Sequence, residues 1–137
     1  MQQDWVCLNG VVMPASEAVV SVFDAGFMQG IGFFTTLKAL NGRALWLERH
    51  IDRLRRSIDT FGWPQPPDAE RVARDVERLL AHAHLADARV RITITCGSLH
   101  TATEQAPSLT TLVTAQAGQH YPPELYARGS SVLVSAC

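Results

Sequence analysis

The stretch from Asp24 to Gly62 constrains the fold more than any other. Asp24 to Gly32 carries Gly26, Gly30 and Gly32, so it cannot be a regular element. It must be a loop or a single helical turn leading into a strand, and loops of this kind often line sites. Phe33 to Leu40 then alternates, with Phe34, Thr36 and Lys38 on one face of a strand and Phe33, Thr35 and Leu37 on the other. Asn41-Gly42 turns the chain back into a short strand around Ala44 to Trp46. From Leu47 the apolar positions fall at 47, 51, 54, 58 and 61, the spacing of an amphipathic helix with one buried stripe. Gly62 and Pro64 end that helix.

The flanking sequence supplies the rest of a sheet. Trp5 to Leu8, Asn9-Gly10 and Val11 to Met13 predict an opening hairpin, because Asn-Gly readily adopts positive φ. Glu17 to Phe23, with Val19, Val20 and Val22, predicts a further extended segment. Asp68 caps a second helix running to about His84, with Val72, Val76, Leu79, Leu80 and Ala83 inward. Ala88 to Cys96 sets Val90, Ile92 and Ile94 against Arg89, Arg91, Thr93 and Thr95, a half-buried strand. Gly97 to Pro107 reads as a polar loop and Leu109 to Ala117 as the answering strand. Gln119 to Pro123 reads as a linker, and Gly129 to Ser135 as the start of a new apolar strand. Strands, two helices and strands again predict an α+β domain, a mostly antiparallel sheet with two helices packed on one face. The domain spans residues 1–118, and residues 119–137 form an interdomain linker with the first strand of a missing C-terminal domain.

Composition narrows the function classes. A chain of 137 residues fits one domain. A formal net charge of -1 gives no indication of a nucleic-acid partner. Cys7, Cys96 and Cys137 are odd in number and widely spaced, which argues against a disulfide framework or zinc site and for a reducing cytoplasm. His82, His84, His100 and His120 have no carboxylate or cysteine at ligand spacing, so no metal is expected. No apolar run approaches bilayer length, and the N-terminus lacks the charge and apolar pattern of a signal peptide.

Arg53 follows His50 by three residues, so both project from one side of the helix on the flank of its apolar stripe. A guanidinium grips phosphate or carboxylate through two parallel charge-assisted hydrogen bonds. The plain alternative is a solvated basic face with ordinary ion pairs among Glu48, Asp52 and their arginine neighbours. Gly30-Ile31-Gly32 precedes a strand instead of joining a strand to a helix, so it is no dinucleotide fingerprint and reads as a turn needing positive φ. Lys38 is the only lysine, and a solvent-facing place late in a strand does not suit a Schiff-base amine.

LNGVVMP, SVFDAGFMQGIGFFTTLKALNG and LERHIDRLRRS, in that order, resemble the N-terminal half of the fold-type IV pyridoxal-phosphate enzymes, the class IV aminotransferases and aminodeoxychorismate lyases. The resemblance implies pyridoxal 5′-phosphate as cofactor, with Arg53 on its phosphate and His50 as a supporting neighbour. It implies that Phe34 and Thr36 line the substrate pocket, with Gln29 a further candidate. It also implies a homodimer with the pocket between two domains, acting on an amino acid or an aminodeoxychorismate-type substrate. No catalytic residue falls within this chain, because the family's Schiff-base lysine lies in the second domain and is expected beyond Cys137.

This sequence departs from the family pattern at several points. Asp24-Ala25-Gly26 and Gly30-Ile31-Gly32 stand where Asp-Arg-Gly and Gly-Asp-Gly are common. Phe34-Thr35-Thr36 replaces the Phe-Glu of many aminotransferases and is more like certain lyases. The loop after Cys96 has no arginine to hold a substrate carboxylate. The reading these features favour is the N-terminal part of an aminodeoxychorismate lyase, inactive alone. The alternatives are a branched-chain or D-amino-acid aminotransferase, and a non-catalytic dimerisation or binding domain.

Overall fold

The computed structural model describes residues 4–63, 66–98, 108–118 and 121–135. Strands β1 (Trp5–Leu8) and β2 (Val11–Pro14) form the opening hairpin, followed by a 3-10 turn at Ala15–Glu17. Helix α1 (Ala25–Gln29) is one turn and leads into β3 (Gly32–Leu40) and β4 (Arg43–Ala44). Helices α2 (Leu47–Thr60) and α3 (Ala69–His82), strands β5 (Ala88–Thr95) and β6 (Thr110–Ala117) and helix α4 (Pro123–Arg128) complete the order. The strands form one sheet in the order β2-β1-β6-β5-β3-β4, antiparallel at every pairing.

Alternation in β5 fixes which face is core. Ala88, Val90, Ile92 and Ile94 are buried while Arg89 and Arg91 are exposed. The register carries Ile92 across to Thr35 of β3 and to Val113 of β6, and Val113 onward to Cys7 of β1. Ile51, Leu54 and Ile58 of α2, with Val72, Val76, Leu79 and Leu80 of α3, join this same face in one core cluster. Each fully buried aliphatic side chain contributes about 1.5–3 kcal/mol of transfer free energy, so this layer supplies most of the drive to fold.

The local devices match their sequences. Asp68 caps α3 by accepting from the Glu70 and Arg71 amides. Asn9 adopts φ 51°, and its side-chain oxygen accepts from the Thr111 amide at 2.8 Å. Arg71 and Arg78, two helical turns apart on α3, donate to the carbonyls of Asn9 and Gly10. The hairpin is thereby tied to both β6 and α3.

Several sequence expectations are corrected. Glu17 to Phe23 is not a strand: Val19, Val20 and Val22 are 80%, 41% and 61% exposed, and β-branched residues extend stably only where a neighbouring strand pairs with them. Gly129 to Ser135 forms no strand for the same reason, with Val132, Leu133 and Val134 close to fully exposed. Pro123 does not end a linker but opens α4, as proline does at a first helical position. Phe61 lies past the end of α2, 71% exposed, with its ring edge-on to Phe33 instead of in the buried stripe. Of Gly30 and Gly32, only Gly30 has a positive φ. Pro64, His100, His120 and residues 99–107 of the expected polar loop lie outside the described residues.

Cys7 is sealed in the core, near the buried Asp75 of α3. Burial, and then the charge of Asp75, push the thiol up from 9.0 to about 11. A raised folded pKa means that the folded state holds the proton between pH 9 and about 11 while the unfolded state releases it. This contribution to stability is complete below pH 9 and is lost as pH rises to about 11. Urea unfolding across that window should show wild type losing stability relative to Cys7→Ala, and parallel profiles would contradict the assignment.

Candidate functional site

Arg53 is exposed on α2, and among the described residues its guanidinium has no hydrogen bond or ion pair. The one described salt bridge, Arg74 with Glu70, lies on α3. Among the described residues Glu48, Asp52 and their arginine neighbours form no ion pair, so the solvated basic face of the plain alternative is present while its ion pairs are not. Arg56 instead reaches the Asp52 carbonyl, and Ser57 donates to the Arg53 carbonyl. An unpaired guanidinium keeps its bidentate capacity for an incoming anion.

His50 is half-buried, one turn before Arg53, with its Nδ1 2.7 Å from the hydroxyl of Thr35. Thr35 is 2% exposed and stands on the helix-facing side of β3, between the rows of Phe33 and Leu37. The pairing exists because α2 packs on β3 with its Ile51-Leu54-Ile58 stripe, which turns the flanking His50 toward the strand.

Phe34 and Thr36 occupy the opposite face of the sheet by strand alternation. Phe34 is 53% exposed, and the Arg91 guanidinium lies 3.6 Å from its ring centroid. Arg91 also donates through Nε to Thr93, the cross-strand partner of Phe34, and stands directly opposite Thr36. Arg89 donates to Gln116, and the exposed Lys38 stands opposite Arg89. Around Phe34 and Thr36 this face therefore carries an aromatic ring, hydroxyls and cations. His50 and Arg53 belong to the helix layer, so the structure brings the candidates together as two pairs with β3 between them.

The glycine-rich turn connects to the sheet through Asp24. That carboxylate is 2% exposed and caps α1 by accepting from the Gly26 amide at 2.8 Å. Its other oxygen accepts from the hydroxyls of Thr95 and Thr110, each at 2.8 Å. The Ala25 amide donates to the Gly97 carbonyl, which fastens the turn at a second point. A Cβ at Gly26 would run into the Thr95 methyl group, so no larger residue fits this close approach. Gly30 closes the turn in the left-handed region at φ 68°. Gln29, Phe27 and Met28 are left exposed on α1, and the Gln29 side chain has no hydrogen bond among the described residues.

The family model for amino-transferase class IV matches residues 32–136, from the first residue of β3 onward. The chain belongs to the class IV aminotransferases. Over 94 residues it is 33% identical to the aminodeoxychorismate lyase of Bacillus subtilis (strain 168), covering 67% of this chain and 32% of that protein. Over 92 residues it is 35% identical to a putative branched-chain-amino-acid aminotransferase of Methanocaldococcus jannaschii, again covering 67% and 32%. The fold is that of the Escherichia coli branched-chain amino acid aminotransferase, with TM-score 0.74, 17% identity, and coverage of 87% of this chain and 41% of that one. The chain thus spans about a third of the length of these curated relatives.

Class IV aminotransferases use pyridoxal phosphate, and another solved branched-chain amino acid aminotransferase of this fold, at TM-score 0.75, contains pyridoxamine 5′-phosphate. In this class IV chain the free guanidinium of Arg53 beside a half-buried histidine fits a phosphate group. Sequence reasoning missed two contributors. Arg91 was visible as an outward residue of β5, but its place over Phe34 depends on the β3–β5 register. Thr35 was assigned correctly to the inward face, yet nothing local signalled its bond to His50. His82 packs its ring edge-on against Trp5 at 4.1 Å. Among the described residues no cluster of three metal-binding side chains forms, and no helix is long and apolar enough to cross a membrane.

Asp24→Ala should destabilise the chain by roughly 2–3 kcal/mol in urea unfolding, since it strands two hydroxyls and the Gly26 amide. A change under about 0.5 kcal/mol, the range typical of an indifferent surface site, would show that the turn is held by other contacts.

Proposed function

We propose that residues 1–137 form the cofactor-phosphate and pocket-wall half of a pyridoxal-phosphate enzyme, most like aminodeoxychorismate lyase. The observation that carries this reading is the unpaired Arg53 guanidinium beside the Thr35-anchored His50, in a chain of this family. Arg53 holds the phosphate dianion through bidentate charge-assisted hydrogen bonds, with His50 as its neighbour. Phe34 and Thr36 form the pocket wall, and Gln29 stands at its rim on the exposed turn.

When bound, the cofactor supplies an electron sink for the substrate carbanion. The residues of this chain bind and orient. Arg91, held in place by stacking on Phe34 and by its bond to Thr93, is the cation available to a substrate carboxylate on that face. This answers the lack of an arginine in the loop after Cys96. Lys38 faces the same side but sits two strand positions beyond Thr36, beside Arg89, and we assign it no covalent role. The covalent lysine is then supplied from outside these residues, and the chain alone is inactive.

The Phe34-Thr35-Thr36 sequence and the Bacillus subtilis relative support the lyase, which splits aminodeoxychorismate into p-aminobenzoate and pyruvate. The relatives named as branched-chain and D-alanine aminotransferases support amino transfer to a 2-oxo acid as the second reading. Conversion of aminodeoxychorismate by the full-length enzyme, without amino transfer to 2-oxo acids, is the expected result, and the reverse pattern would select an aminotransferase. Absence of both, with no cofactor bound, would favour a non-catalytic dimerisation or binding domain. Self-association as a homodimer and a cytoplasmic location, which suits the free thiols of Cys7 and Cys96, complete the proposal. Arg53→Ala in the full-length enzyme should weaken pyridoxal-phosphate retention about 10- to 100-fold, measured by equilibrium dialysis. Unchanged retention would refute the phosphate role.

A further inference from the structure

We infer that Thr35 is a positioning residue which locks His50 in the tautomer carrying its proton on Nε2, and so leaves the Nε2–H as a hydrogen-bond donor for the anion held by Arg53. The inference rests on the phosphate reading of Arg53 given above. Thr35 is 2% exposed, and its hydroxyl has one proton to place. Among the described residues its recorded hydrogen-bond partner is His50 Nδ1, at 2.7 Å.

Two arrangements could produce that distance. If Nδ1 carried the hydrogen and donated to the threonine oxygen, the threonine O–H would remain buried with no acceptor among the described residues. If the hydroxyl donates to Nδ1, its one proton is placed and the ring nitrogen is its acceptor. Donation to Nδ1 leaves the ring's only hydrogen on Nε2. Among the described residues that N–H has no hydrogen-bond partner, and the half-buried ring lies one helical turn before Arg53. A serine at this position would keep the hydroxyl, whereas a valine would keep the shape and remove it.

The test is 15N–1H NMR of the 137-residue chain, histidine-labelled, at about pH 8, where an ordinary imidazole is neutral. Thr35→Val, Thr35→Ser and Arg53→Ala are compared, with inorganic phosphate as the probe. Wild type and Thr35→Ser should show His50 as the Nε2–H form, and Thr35→Val should show both tautomers. Phosphate affinity should fall about 2- to 10-fold in Thr35→Val and recover in Thr35→Ser, the loss of one neutral hydrogen bond. A wild-type spectrum with the proton on Nδ1 overturns the inference, and it does so even if Thr35→Val fails to fold. Equal phosphate affinity in folded wild type and Thr35→Val also overturns it. Arg53→Ala separates the two claims: it should leave the tautomer unchanged while abolishing the phosphate response. If phosphate binds Arg53→Ala as well as wild type, the Arg53 reading fails while the tautomer result still judges Thr35.

Discussion

One-sided burial of the sheet is the constraint on which everything else depends. Val90, Ile92 and Ile94 of β5 are completely enclosed, while Arg89 and Arg91 between them are in water. A one-residue slip would exchange the two sets and put arginines under the helices, so the register is strongly specified. Because β5 pairs with both β3 and β6, its alternation is imposed on the neighbouring strands, and Thr35 and Phe34 are assigned to opposite faces as a result. The chemistry of each face follows from this division. The helix face has a single buried hydroxyl on β3 for His50 to meet, and the other face has a ring on which an arginine can lie.

Much of this was legible in the residues. Period-two alternation identified β3 and β5, and the four-and-three spacing from Leu47 identified α2, because these patterns record burial directly. Asp68 and Asn9-Gly10 announced a cap and a hairpin through local backbone chemistry. What local pattern could not supply was pairing. Val19 to Val22 and Val132 to Val134 have the composition of strands but no pairing strand among the described residues, and composition does not count neighbours. The same limit hid the contacts of Asp24 with Thr95 and Thr110, and of Arg91 with Phe34, each made across many residues of chain.

The candidate site was legible to a different degree. Position and family resemblance named Arg53 and His50, which stand one turn apart on α2, Arg53 exposed and His50 bonded to Thr35. Phe34 and Thr36 were named as one wall, and they do share a face, but β3 stands between them and the helix layer. A strand with one buried and one open face thus contributes to both halves at once. Thr35 bonds the histidine while its neighbours Phe34 and Thr36 face the other side.

The carboxylate of Asp24 is held without a cation: two hydroxyls and one amide surround it, and no ion pair reaches it among the described residues. Its buried hydrogen bonds are short-range and shielded from dissolved ions. Arg53 is exposed, and its attraction for an anion acts through solvent, where about 0.15 M salt limits the reach of a charge to about 8 Å. Ionic strength therefore acts unequally on these two groups. On the proposed phosphate reading of Arg53, salt weakens anion capture at α2 while leaving the anchorage of α1 untouched, so one can be varied in solution without loosening the other.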